Sequence, residues 1–161
     1  MEEQVTERMI IRGTPAECYG VLVDFERYPD WAADIKAVHI DERDADGRAL
    51  SVTFRAAAFG RSTSYTLRYD YSSAPEELSW VQTAGDITRR LDGAYHLSAS
   101  GDTGTEIVYE LVVDLKVPLP GFVKRRAEGR IMGTALRELK AVVEGGSLPG
   151  GGRDSAVSAG Y

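Results

Sequence analysis

The sequence predicts an α+β fold: a curved antiparallel sheet of about seven strands wrapped on one long C-terminal helix, with two short helices after the first strand. Three observations carry this. From Ile35 to Val117, apolar residues recur at every second position in runs separated by tight-turn signals. A sustained helical repeat occurs only near the end, from Phe122 to about Glu144. Between the first strand and the sheet stands Val23–Ile35, V-D-F-E-R-Y-P-D-W-A-A-D-I, which combines a helix end, a proline turn and a large aromatic.

Gln4–Arg12 carries β-branched residues and alternates in its second half, so it reads as a strand. Thr14-Pro15-Ala16-Glu17 is a helix start: a capping threonine, proline at the first helical position and glutamate to complete a capping box. Cys18, Val21, Leu22 and Phe25 then form one apolar stripe. Pro29 predicts a stop near Arg27 or Tyr28, and Asp30–Asp34 a further helical turn that points Trp31 to the core. Ile35–Arg43, Arg48–Phe59, Arg61–Ser72, Leu78–Thr83, Ile87–Ser100 and Thr105–Val117 are the remaining strands. Asp44-Ala45-Asp46-Gly47 is a hairpin turn of the Asp-Gly kind. Pro118 and Pro120 end the last strand, because proline cannot donate a ladder hydrogen bond. Val123, Ala127, Ile131, Ala135, Leu139 and Val142 form the stripe expected to face the sheet. A sheet of this length twists and curls. One helix cannot fill its whole concave face, so a cavity is expected.

At 161 residues the chain fits one domain, 1–144, followed by a disordered Gly/Ser-rich tail, 145–161. The net charge of −6 argues against nucleic acid or an anionic membrane as the main partner. Cys18 is the single cysteine, which excludes an internal disulfide and suits a cytoplasmic setting. Met1-Glu2-Glu3-Gln4 lacks the signal-peptide pattern, and no apolar run is long enough to span a bilayer. Exposed edge strands leave a monomer or a homodimer open.

The alternation assigns Phe54, Tyr65, Tyr69, Trp80, Gln82, Arg89, Tyr95 and Tyr109 to the inward face, and Ser64, Arg68, Asp70, Arg90, Asp92 and His96 to the solvated one. The inward set is rich in polar handles, and each buried hydroxyl needs a partner. A plain aromatic core is the competing explanation for any one of these tyrosines. Ala56, Ala58 and Gly93 leave room on the sheet, as Gly129 and Gly133 do on the helix, unless those two glycines serve only close helix–sheet contact. Arg89 either reaches solvent at a strand end or sits inside beside an anion, since an unpaired buried guanidinium is costly.

Val23-Asp24 followed by Tyr28-Pro29-Asp30-Trp31 resembles the START-like superfamily of helix-grip proteins, and within it the polyketide cyclase/dehydrase and coenzyme Q-binding branch. Leu91-Asp92-Gly93-Ala94-Tyr95 is similar to a strand that carries Gly-x-Trp in relatives, with Tyr95 in place of the tryptophan. The resemblance covers Gln4 to about Glu144. It implies the helix-grip fold and a cavity for an apolar molecule such as a lipid, quinone or polyketide, with only some members being enzymes.

The residues themselves call for no cofactor and no metal. His39 and His96 fall on the outer face, and no nucleophile elbow or phosphate loop is present. The expected activity is binding, for transport or sequestration, of a hydrophobic or aromatic small molecule. Phe54, Tyr65, Tyr69, Trp80, Tyr95, Tyr109, Gly129, Met132 and Gly133 are its expected surroundings, and Gln82 and Arg89 its polar anchors. Burial of on the order of 300 Å² of ligand sets a micromolar expectation. The alternative is a polyketide aromatase/cyclase acting on a poly-β-keto intermediate, with Arg89 stabilising an enolate and Tyr65 or Tyr95 supplying a proton. A protein-interaction module is a third reading, supported only by the basic run Lys124-Arg125-Arg126.

Overall fold

Thr14 starts the first helix as its neighbours dictate. Its hydroxyl accepts from Glu17 N at 3.1 Å while Glu17 Oε1 accepts from Thr14 N at 2.8 Å, a reciprocal capping box. The computed structural model describes residues 4–58 and 60–145. Its elements are β1 (Gln4–Arg12), α1 (Pro15–Leu22), a 3-10 turn (Phe25–Arg27), α2 (Tyr28–Trp31), β2 (Ile35–Arg43), β3 (Ala49–Ala58), β4 (Arg61–Asp70), β5 (Glu77–Gly85), β6 (Thr88–Ser100), β7 (Gly104–Leu115) and α3 (Gly121–Gly145). Gly145, the first residue of the expected tail, closes α3, and residues 146–161 lie outside the described residues.

Two local expectations change. α1 ends at Leu22, so Pro29 does not stop it; the proline lies in the first turn of α2, where its missing N–H costs nothing. Trp31 closes α2 and is buried, as expected. β5 continues past Thr83 to Gly85 through a register shift against β4, where Leu67 pairs Gln82 and Thr66 pairs Ala84.

The seven strands run β1-β7-β6-β5-β4-β3-β2, every neighbouring pair antiparallel. Consecutive hairpins build β2 to β7, and β1 returns to the far edge beside β7. Register shifts in β2, at β4–β5 and at β6–β7 add the local twist that curls a sheet.

α3 lies over the concave face and packs against β1, α1 and α2. Glu144 Oε2 accepts from Arg12 N at 2.9 Å and Glu138 Oε2 from Ala33 N at 3.1 Å, tying the helix to both flanking segments. Its buried face is Glu128, Met132, Leu136, Leu139 and Val142. The expected stripe is right from Leu139 onward and rotated before it: Val123 is exposed, and the position facing inward one turn later is a glutamate. No helix among the described residues is long and apolar enough to cross a membrane.

Candidate ligand cavity

The 3-10 turn and α2 deliver a wedge of rings into the concave face. Phe25, 1% exposed, meets Tyr69 at 4.5 Å and Tyr28 at 5.5 Å between ring centroids, and Tyr28 meets Trp31 at 5.1 Å. The chain of contacts runs on through Phe54–Tyr65 at 5.5 Å, Tyr69–Trp80 at 5.8 Å, Trp80–Tyr95 at 5.4 Å and Tyr95–Tyr109 at 4.4 Å. These rings close one end of the hollow and fill much of it. Trp80 is fixed by a hydrogen bond from its indole N–H to Leu91 O at 3.1 Å.

Beyond Tyr65, Trp80 and Tyr109 the packing opens into a largely enclosed cavity of about 100 Å³. Leu67, Leu91, Leu111 and Val113 form its apolar floor, and Ile131 and Glu128 its roof on α3. Ala58, Thr63, Ile87 and Thr88 bound it further along the same strands. Both threonines spend their protons outside it: Thr63 Oγ1 donates to Asp86 Oδ1 and Thr88 Oγ1 to Gln82 Oε1, each at 2.5 Å. The Thr63 hydroxyl, with backbone N–H groups, holds the Asp86 carboxyl below its usual range. Two other depressions are open and charged, one of about 670 Å³ around Arg48, Arg68 and Asp70 and one of about 240 Å³ around Asp24, Arg43 and Arg48.

Glu128 is the unusual wall residue. It is 1% exposed. Its Oε2 forms an ion pair with Lys124 Nζ at 2.7 Å, one turn earlier. Beyond that ion pair, neither carboxylate oxygen has a hydrogen-bond partner among the described residues. Lys124 therefore turns inward and leaves the exposed basic run that supported a protein-interaction surface.

Burial raises the hydroxyl pKa of Tyr28, Tyr65, Tyr69, Tyr95 and Tyr109 well above a phenol's usual value, with neighbouring tyrosines adding to it. Tyr28, Tyr65 and Tyr95 are only half-buried as whole residues, but their hydroxyls lie deeper. Such hydroxyls bind hydrogen-bond partners but are poor proton donors at neutral pH. They also make the fold alkali-sensitive. A folded pKa raised above the unfolded value of about 10 gives stability that is complete below about pH 10 and lost as pH climbs toward the folded value. In an alkaline titration, the phenolate absorbance of these five residues is expected to appear in one cooperative step coincident with loss of the circular dichroism signal. A gradual rise with the fold intact would contradict this.

Of the residues assigned from sequence, Tyr65, Trp80 and Tyr109 line the cavity, while Phe54, Tyr69 and Tyr95 pack behind them. Met132 is buried in the core under α3. Gln82 does not accompany Arg89; its amide is bonded to Thr88 through both the hydroxyl and the carbonyl. Arg89 is outside. It is the extra residue between the Thr88–Leu115 and Arg90–Asp114 pairs, so the bulge carries it off the inward face; it is exposed and donates from Nη1 to Leu115 O at 3.1 Å. Gly129 approaches Glu7 and Gly133 approaches Arg137, so neither makes room in the cavity. The space beside Gly93 is already taken by Trp80. Thr63, Thr88 and Glu128 escaped the sequence reading. The alternation places Thr88 outward and the bulge at Arg89 inverts it, and a glutamate reads as solvated unless its i+4 relation to Met132 is followed.

A bent antiparallel sheet gripping a terminal helix over a hollow defines a START-like helix-grip protein. The family model described as polyketide cyclase/dehydrase and lipid transport matches residues 11–140, and the chain belongs to that family. A START superfamily protein from Mycobacterium smegmatis shares the fold with a TM-score of 0.84 and 22% identity, covering 89% of this chain and 99% of that one. An aromatase/cyclase from a Streptomyces species superposes with a TM-score of 0.78 at 14% identity over 89% and 94% of the two chains. The structure of Ara h 8.0201 superposes with a TM-score of 0.68 at 18% identity over 90% and 99% of the two chains. Comparison with curated proteins gives no match.

Proposed function

We propose that this protein binds a hydrophobic or aromatic small molecule between the sheet and α3, for transport or sequestration inside the cell. The observation that carries the reading is the apolar cavity of about 100 Å³ left within a concave face otherwise filled by rings. A cavity near 150 Å³ accepts benzene, and ligand sites usually measure 300–1,000 Å³. A single-ring molecule is therefore the size that fits with little adjustment. A lipid, quinone or polyketide requires α3 to move outward. Burying on the order of 200 Å² of ring gives about 5 kcal/mol gross before association costs, so a dissociation constant of about 1 mM or weaker replaces the micromolar expectation for such a probe.

The aromatase/cyclase alternative loses its assigned groups: Arg89 is exposed, and the hydroxyls of Tyr65 and Tyr95 are harder to ionise than free phenols. Titration calorimetry with toluene tests the binding reading. Ile131→Phe fills the roof of the cavity and is expected to weaken toluene binding at least tenfold without lowering the thermal midpoint. Equal affinity in wild type and variant would remove the cavity from the function.

A further inference from the structure

Glu128 is buried with a single partner, the Lys124 ammonium on Oε2. A carboxylate taken out of water is tolerated when several donors meet it. Here one ammonium balances its charge, while Oε1 has no partner among the described residues and the side chain forms part of the cavity wall. Most other polar side chains on that wall are engaged: the Thr63 and Thr88 hydroxyls donate to Asp86 and Gln82, the Trp80 indole N–H donates to Leu91 O, and Tyr109 shares a hydroxyl–hydroxyl hydrogen bond with Tyr95; the Tyr65 hydroxyl is the remaining one.

We propose that Glu128 is the polar anchor of the cavity and that the ligand is a hydroxylated ring, a phenol or enol, whose O–H donates to Glu128 Oε1. This rests on the binding function proposed above. The chemistry selects the class. A carboxylate paired with an ammonium is an acceptor and has no proton to offer, so an aldehyde, ketone or nitrile gains no hydrogen bond from Glu128. Lys124 already supplies the compensating positive charge, which favours a neutral donor over an ammonium ligand. The apolar floor of Leu67, Leu91 and Leu111 takes the ring, leaving its hydroxyl for the roof. A hydrogen bond to a charged acceptor is worth about twice a neutral one, and a buried acceptor left unmet costs binding.

Three ring-sized probes separate this inference from the underlying reading: phenol, toluene, which replaces the hydroxyl with a methyl, and benzonitrile, which accepts only. Calorimetry on the wild type is expected to give phenol at least a tenfold tighter dissociation constant than either, about 1.4 kcal/mol. Glu128→Leu is expected to abolish that preference while retaining toluene. Its thermal midpoint is expected to equal or exceed that of the wild type, because Lys124 is part-exposed and can turn to water while an apolar group replaces a buried charge. Glu128→Gln keeps the shape and one acceptor oxygen, so an intermediate preference is expected from it even if the leucine variant does not fold. Toluene binding with no advantage for phenol, or a phenol advantage that survives Glu128→Leu, overturns the anchor alone. Failure of all three probes to bind overturns the cavity reading and the anchor with it.

Discussion

Phe25→Ala is expected to cost about 4 kcal/mol of folding stability, a large share of the 5–15 kcal/mol of an ordinary domain. The ring is 1% exposed and touches Tyr28, Phe54 and Tyr69, which come from α2, β3 and β4. It sits in a 3-10 turn whose single buried residue it is. Removing it therefore takes away the ring that joins α2, β3 and β4, and leaves α2 held by the buried Trp31, by Tyr28 against Phe54 and by its packing on β2. Urea denaturation followed by tryptophan fluorescence reads this directly, because Trp31 and Trp80 are both in the core. A loss below about 1 kcal/mol would mean that the wedge is not what closes this end of the sheet.

Gly93→Ala is expected to destabilise by about 3 kcal/mol and also to close the cavity. A Cβ at this position falls 2.6 Å from Glu110 O and 2.6 Å from Trp80 Cζ2. The carbonyl belongs to the β7 ladder and cannot yield without loss of pairing, so the indole must move. Over-packing of a filled core costs about 1–3 kcal/mol and sometimes more. Trp80 lines the cavity, so its displacement also changes the volume open to a ligand. Denaturation and toluene calorimetry on the same variant measure the two effects. A variant as stable as the wild type would show that the indole has room the structure does not give it.

The two expectations explain why the sequence revealed the fold more readily than the site. Period-two alternation, the Thr14–Glu17 capping box and the Asp-Gly turn are local signals, and each formed where it was read. The family resemblance carried by Tyr28-Pro29-Asp30-Trp31 is likewise met by the family match. The site depended on features that alternation cannot report. One bulged residue moved Arg89 out and Thr88 in. Gly93 looked like empty space because its sequence neighbours say nothing of Trp80, which faces it from β5. Glu128 was hidden by its charge, although it precedes Met132 and Leu136 by one and two helical turns on the buried face. Pro29 was misread because proline both ends helices and begins them, and only the early end of α1 decides between the two.

The proposed function requires that the hollow bounded by Tyr65, Trp80, Tyr109, Leu111 and Ile131 receive a ligand. A crystal structure of the protein soaked with phenol tests it most directly. Ring density is expected in that hollow, with its oxygen within hydrogen-bonding distance of Glu128. Ring density confined to the open grooves near Arg48, with the hollow closed around its own side chains, would contradict it.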